Sequence, residues 1–158
     1  AAGQYRDTLA ANGLVMAVSV PEPEKMKESA WKNTARLLAS ASEAGFTPLL
    51  LTASDPAAFS SLIASGKYTQ AESMTLLTSV YYSDYKTLIS LNRSNGGAVY
   101  FNDGNIISKW AARSLPSNRK LGKLIRKDRV EVMLDADGKG KLLFEAFMLY
   151  TFTLMLIL

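Results

Sequence analysis

Ala98–Trp110 reads AVYFNDGNIISKW, two β-forming runs separated by Asn102-Asp103-Gly104-Asn105. Asp-Gly between such runs marks a tight turn whose central residues take positive φ, so the stretch predicts an antiparallel hairpin. Working back toward the N-terminus, Leu14–Val20 (LVMAVSV, closed by Pro21) and residues 47–53 (TPLLLTA) are short apolar runs of the kind buried within a sheet. A helix is expected after each. Pro21-Glu22-Pro23-Glu24 opens the first: proline suits a first turn, and the carboxylates face the positive helix end. Met26, Ala30, Leu37, Leu38, Ala41 and Ala44 follow at helical spacing, and Gly45 ends the segment. Ser54-Asp55-Pro56 opens the second helix, which carries Phe59, Leu62 and Ile63 and stops at Gly66.

Residues 67–75 are polar and read as a loop; residues 76–82 are apolar and aromatic and read as a short strand or its lead-in. Ser83-Asp84 caps a short helix holding Leu88, Ile89 and Leu91, and Ser117-Asn118 starts a basic helix reaching about Lys127. Strands alternating with helices predict a parallel sheet with helices on both faces. The hairpin makes that sheet mixed, so the fold class is α/β. Residues 1–127 are expected to form the domain and 128–158 a C-terminal extension.

The 158 residues contain neither cysteine nor histidine. This excludes disulfides, thiol redox chemistry, zinc sites built on those side chains, and Ser-His or Cys-His nucleophile pairs. Eighteen basic groups against fourteen acidic ones give a net charge of +4, and the excess lies in the second half. Lys109, Arg113, Arg119, Lys120, Lys123, Arg126, Lys127 and Arg129 are opposed in their stretch only by Asp128. Such a run is either a solvated helix face or a contact for anionic lipid or protein. No aromatic residue lies between Ala111 and Arg129, so a base-stacking platform is missing and nucleic acid is not expected.

Ala1 in place of methionine implies a processed or excised chain. Residues 142–158 (LLFEAFMLYTFTLMLIL) carry one charge, Glu145. They read either as the first part of a membrane helix or as a buried terminal element, since spanning takes about twenty apolar residues.

Chemistry-bearing side chains are sparse. Glu22 and Glu24 fall at the C-terminal end of a parallel strand, where α/β sheets place ligands. Asp55 and Asp84 are expected near the same sheet edge. The acids read as helix-start charges first, and as an acid–base pair or hard-cation site second. Asp135-Ala136-Asp137-Gly138-Lys139-Gly140 begins like a calcium loop but has lysine at the fifth position and Ala146 at the twelfth, so a polar turn is the expectation. No metal and no cofactor are expected. Tyr68, Tyr81, Tyr82, Tyr85 and Tyr100 form an aromatic-rich middle, read as core before groove.

The order of elements, with an Asp-Gly hairpin after the last crossover, resembles the thioredoxin-like fold. Leu51-Thr52-Ala53-Ser54, Asp84 with Lys86-Thr87-Leu88, Arg93-Ser94-Asn95, and Asp103-Gly104 through Lys109-Trp110 are similar to one group within it. These are the thioredoxin-like domains attached to DoxX-like membrane proteins of Bacteroidetes-type bacteria. The resemblance covers about residues 14–116, and its motifs are structural rather than catalytic.

Two departures stand out. The redox Cys-x-x-Cys of the fold is replaced by Ser19-Val20-Pro21-Glu22-Pro23-Glu24-Lys25, and the proline expected before the hairpin by Asn95-Gly96-Gly97. Dithiol exchange is therefore excluded. The resemblance implies a non-catalytic binding module, part of a membrane-associated bacterial envelope protein, with a protein or membrane surface as partner. Its groove would involve Glu22, Glu24, Asp55, Asp84, Asn95, Gly96 and Gly97, and its basic surface Arg119, Lys120, Lys123, Arg126 and Lys127. The alternative is a carboxylate- or hard-metal-dependent enzyme using the acids at the C-terminal sheet edge.

Overall fold

Strand β1 (Leu14–Val20) is the centre of the molecule: every residue from Val15 to Val20 is buried. A computed structural model describes residues 9–126, together with Met148 and Tyr150. β1 pairs in parallel with β2 (Thr47–Thr52), and β2 in parallel with β3 (Val80–Tyr82). On its other edge β1 runs antiparallel to β4 (Gly97–Asn102), which pairs antiparallel with β5 (Asn105–Trp110). The result is a five-stranded mixed sheet in the order β3-β2-β1-β4-β5. A valine-bearing strand with partners on both edges and cover on both faces has no polar side to show, and LVMAVSV has none beyond Ser19.

Five helices flank the sheet among the described residues: α1 (Glu28–Glu43), α2 (Pro56–Ser65), α3 (Gln70–Thr78), α4 (Tyr85–Leu91) and α5 (Asn118–Arg126). α1 lies on β1 and β2 through Trp31, Ala35, Leu38 and Ala41 and also meets α3 and α5. It ends in a Schellman motif. Gly45 takes φ +90, and the Phe46 and Gly45 N–H groups donate to the carbonyls of Ala41 (2.9 Å) and Ser42 (3.0 Å). Phe46 is thereby turned inward and meets the Tyr100 ring edge-on at 5.3 Å.

Two expectations are corrected. Residues 67–75 are a loop only as far as Thr69. α3 occupies Gln70–Thr78, opened by a capping box in which Thr69 and Glu72 each accept from the other's backbone N–H, at 3.2 and 2.9 Å. The strand is correspondingly confined to Val80–Tyr82. The first helix is also broken. Pro23–Lys25 form a short 3₁₀ turn, the chain extends through Met26 and Lys27, and α1 begins only at Glu28.

Asp135–Gly140, Lys127 and residues 142–158 apart from Met148 and Tyr150 lie outside the described residues. No helix among the described residues is long and apolar enough to cross a membrane.

The core makes a direct expectation. Leu38 is fully buried on α1, and Leu38→Ala should cost about 2–5 kcal/mol, read from urea unfolding followed by circular dichroism. A loss within measurement error would mean that α1 does not pack as described.

Candidate functional site at the sheet edge

The ends of β1, β2 and β3 and the start of β4 share one edge of the sheet, so residues far apart in sequence meet there. Its frame is the loop Asn92–Gly97, sequence NRSNGG. The Asn92 amide donates to the carbonyls of Ala98 (3.2 Å) and Trp110 (3.1 Å), and its oxygen accepts from the Ser94 N–H at 3.0 Å. Ser94 Oγ accepts from the Ala112 N–H at 2.9 Å. The Gly96 N–H donates to the Ser19 carbonyl at 2.8 Å. Gly96 takes φ +81, which an L side chain resists, and a Cβ on Gly97 would fall 2.6 Å from the Asn92 amide nitrogen. The backbone thus favours glycine at Gly96, and a side chain at Gly97 would push the Asn92 amide from its bonds.

Asn95 is the centre of this edge. Its Oδ1 accepts from the Glu22 N–H at 3.1 Å, and its Nδ2 donates to the Glu22 carbonyl at 2.7 Å. One side-chain amide thus satisfies both backbone groups of the residue just beyond β1, imitating a strand partner. Glu22, Asn95, Gly96 and Gly97 are brought together, with the Met26 side chain beside Gly96.

The acids do other work. Glu22 turns its carboxylate outward to Lys25 (2.6 Å), and that hydrogen bond, with the carboxylate charge, raises the lysine above its ordinary value. Glu24 is exposed in the 3₁₀ turn. Asp55 is the N-cap of α2, accepting from the N–H groups of Ala57 (3.0 Å) and Ala58 (3.3 Å). Asp84 is the N-cap of α4, accepting from the hydroxyl and the N–H of Thr87. Among the described residues no three acidic side chains are grouped to hold a metal ion.

The tyrosines divide. Tyr100 is buried in the core, whereas Tyr82 and Tyr85 are 42% and 48% exposed at the sheet edge. Tyr82 meets Phe59 edge-on at 6.4 Å. Partial burial, then the Asp55 charge, push its phenol above the ordinary value. Of the basic residues, Arg119, Lys123 and Arg126 are exposed on α5, while Lys120 reaches over the Trp110 ring at 5.4 Å.

Sequence reasoning missed Asn92, Ser94 and Ser19. Ser19 is wholly buried, and its hydroxyl donates to the Leu88 carbonyl at 3.2 Å, joining β1 to α4. The only local sign was the concentration of Asn, Ser and Gly between Asn92 and Gly97.

Two expectations follow. Asn95→Ala leaves the Glu22 N–H without a partner, while the Glu22 carbonyl keeps the Lys25 N–H (3.2 Å); it should cost about 1–3 kcal/mol, with faster hydrogen exchange at the Glu22 amide. Unchanged exchange would show that the amide pair does not close this edge.

The Thr87 hydroxyl and N–H hold Asp84 below the usual carboxylate range. A lowered folded value gives stability that is complete above the unfolded value and lost as pH falls through the folded one. Asp84→Asn keeps an acceptor for the helix and should flatten the acid limb of a stability–pH curve measured by urea midpoints between about pH 2 and 6. An unchanged slope would remove Asp84 from that limb.

Compared with protein-family models, curated proteins and solved structures, the chain matches none.

Proposed function

We propose that this chain is a non-catalytic binding module of thioredoxin-like type, belonging to a membrane-associated protein of a bacterial envelope. The observation that carries the reading is the sheet order with its directions: β1, β2 and β3 parallel, β4 and β5 antiparallel, and the Asn95–Gly97 loop set against the end of β1. In that arrangement the segment following β1 is where a dithiol would stand, and the chain has no sulfur nucleophile to put there. In its place Glu22 and Asn95 bond to one another through backbone and amide.

A site whose polar groups are already paired is suited to shape recognition rather than to bond making. Tyr82 and Tyr85 supply exposed aromatic surface on the same edge, and aromatic side chains with a polar tip are common anchors at protein interfaces. The envelope placement is supported by the basic run beginning at Lys109 and the apolar run 142–158. The carboxylate-enzyme reading draws no support from the acids, since Asp55 and Asp84 cap helices and Glu22 pairs with Lys25.

The test is a photocrosslinking side chain placed at Tyr85 of the intact gene product in its own cells. The control position is Glu43, at the C-terminal end of α1 and so at the opposite pole of the sheet. A discrete protein adduct from Tyr85, none from Glu43, and recovery of the product with membranes after a high-salt wash are expected. Equal labelling from both positions, or none from Tyr85, would overturn the binding role. Recovery in the washed-off fraction would overturn the envelope placement.

A further inference from the structure

A second concavity lies away from the sheet edge, between α1 and the segment running from Ala112 to Asn118. It is a groove open to solvent, about 270 Å³ in volume, lined by Asn33, Arg36 and Leu37 from α1, and by Arg113, Pro116 and Asn118 opposite. Leu37 and Pro116 are buried and form an apolar floor. Arg36 and Arg113 are exposed, and neither has an ion pair or hydrogen bond among the described residues. No carboxylate lines the groove. On α3, Glu72 feels the Arg36 charge, which adds a little to the hydrogen bonds from Thr69 that hold its carboxyl low, without an ion pair between the two.

We propose that this groove binds a phosphate monoester, gripped between the guanidinium groups of Arg36 and Arg113. Arg36 and Arg113 line one small groove without a carboxylate between them, and a phosphate monoester, with three free oxygens and up to two negative charges, gives each guanidinium an oxygen edge of its own. The start of α5 adds further donors. The Ser117 carbonyl accepts from Lys120 (2.8 Å) and Leu121 (3.0 Å), while the N–H groups of Asn118 and Arg119 lie in the first turn, beyond reach of any carbonyl within the helix.

The surrounding field has the right sign. From Lys109 to Arg126 there are six basic residues and no acidic one. The volume equals roughly nine waters at their liquid share of about 30 Å³, which suits a phosphate and the first atoms attached to it. Asn33 and Asn118 also line the groove, and an amide there can take a neighbouring hydroxyl. The inference does not depend on the thioredoxin-like reading, because none of these residues belongs to the sheet edge.

The same chemistry occurs on a soluble metabolite and on a lipid headgroup, and two probes separate them. Glycerol 3-phosphate is titrated into the full chain by calorimetry at constant ionic strength. Phosphatidylcholine vesicles with and without phosphatidic acid are assayed by co-sedimentation. Saturable binding of glycerol 3-phosphate identifies a soluble source; binding confined to phosphatidic acid vesicles identifies a headgroup.

In either arm the combined Arg36→Gln and Arg113→Gln variant should lose at least about tenfold in affinity with an unchanged melting temperature. The Arg36→Lys and Arg113→Lys variant keeps the charge without the fork and should fall between. Lys123→Gln with Arg126→Gln removes the same charge from the exposed face of α5 and should stay within about twofold. Binding of neither probe overturns the proposal, as does equal loss in the α5 variant, which would mean a diffuse field rather than a site.

Discussion

From Val15 to Val20 no residue of β1 reaches solvent, and both of its backbone edges are hydrogen-bonded, in parallel to β2 and antiparallel to β4. A strand enclosed on four sides cannot shift by one residue without carrying its whole apolar set to the wrong face. The register of β2 and β4 is inherited from it, β3 and β5 follow from those, and the helices take their places on the resulting surface. Even the polar Ser19 is absorbed, through its hydroxyl bond to the Leu88 carbonyl, so that α4 is fastened to the strand that it covers. The functional edge is a consequence of the same constraint: where β1 stops being enclosed, at Pro21 and Glu22, the first backbone groups needing a partner find one in Asn95.

The legible part of this architecture was the part written in local chemistry. Leu14–Val20 and Thr47–Thr52 are bounded by Pro21 and by the Ser54-Asp55-Pro56 step, and Asp55 and Asp84 cap helices as their spacing implies. α3 escaped because its apolar residues do not form one stripe. Leu76 is buried while Met74 and Leu77 are 56% and 40% exposed, so no helical period emerges. The Thr69–Glu72 capping box was present in the letters and outweighed by the polar composition around it. The break before Glu28 has no glycine to announce it. It follows from Pro23 favouring a short turn and from the extended conformation at Lys27, the residue before α1.

The candidate site was legible as a place more than as a set of contacts. The convergence of Glu22, Asn95, Gly96 and Gly97 follows from topology, and topology follows from the alternation of strands and helices. What could not be read is that Asn92 serves two carbonyls, one of them eighteen residues away, since an asparagine in a loop carries no mark of its partners. The acids illustrate the converse. Their position at a strand end was visible, but their use as caps and as a partner for Lys25 depends on distances that only folding supplies. Arg36 and Arg113 belong to the same class: one sits in an ordinary helical repeat, the other in a basic run, and only the packing of α1 against the Ala112–Asn118 segment makes them neighbours.

The two clasps of β1 have a bearing on how the chain acquires its structure. At one end Gly13 and Asp103 bond reciprocally, N–H to carboxylate at 2.7 Å and N–H to carbonyl at 3.0 Å; at the other, Glu22 is held by Asn95. These pairs are 90 and 73 positions apart. Closing loops of that length costs chain entropy before any contact repays it, and non-local pairing of this kind slows folding relative to helical bundles. During synthesis the central strand is therefore made before the four other strands of the sheet and is completed only after β4. Until Asn102 has emerged, one edge of its apolar backbone stands without its native partner, the condition in which nascent chains are most prone to mispairing with one another.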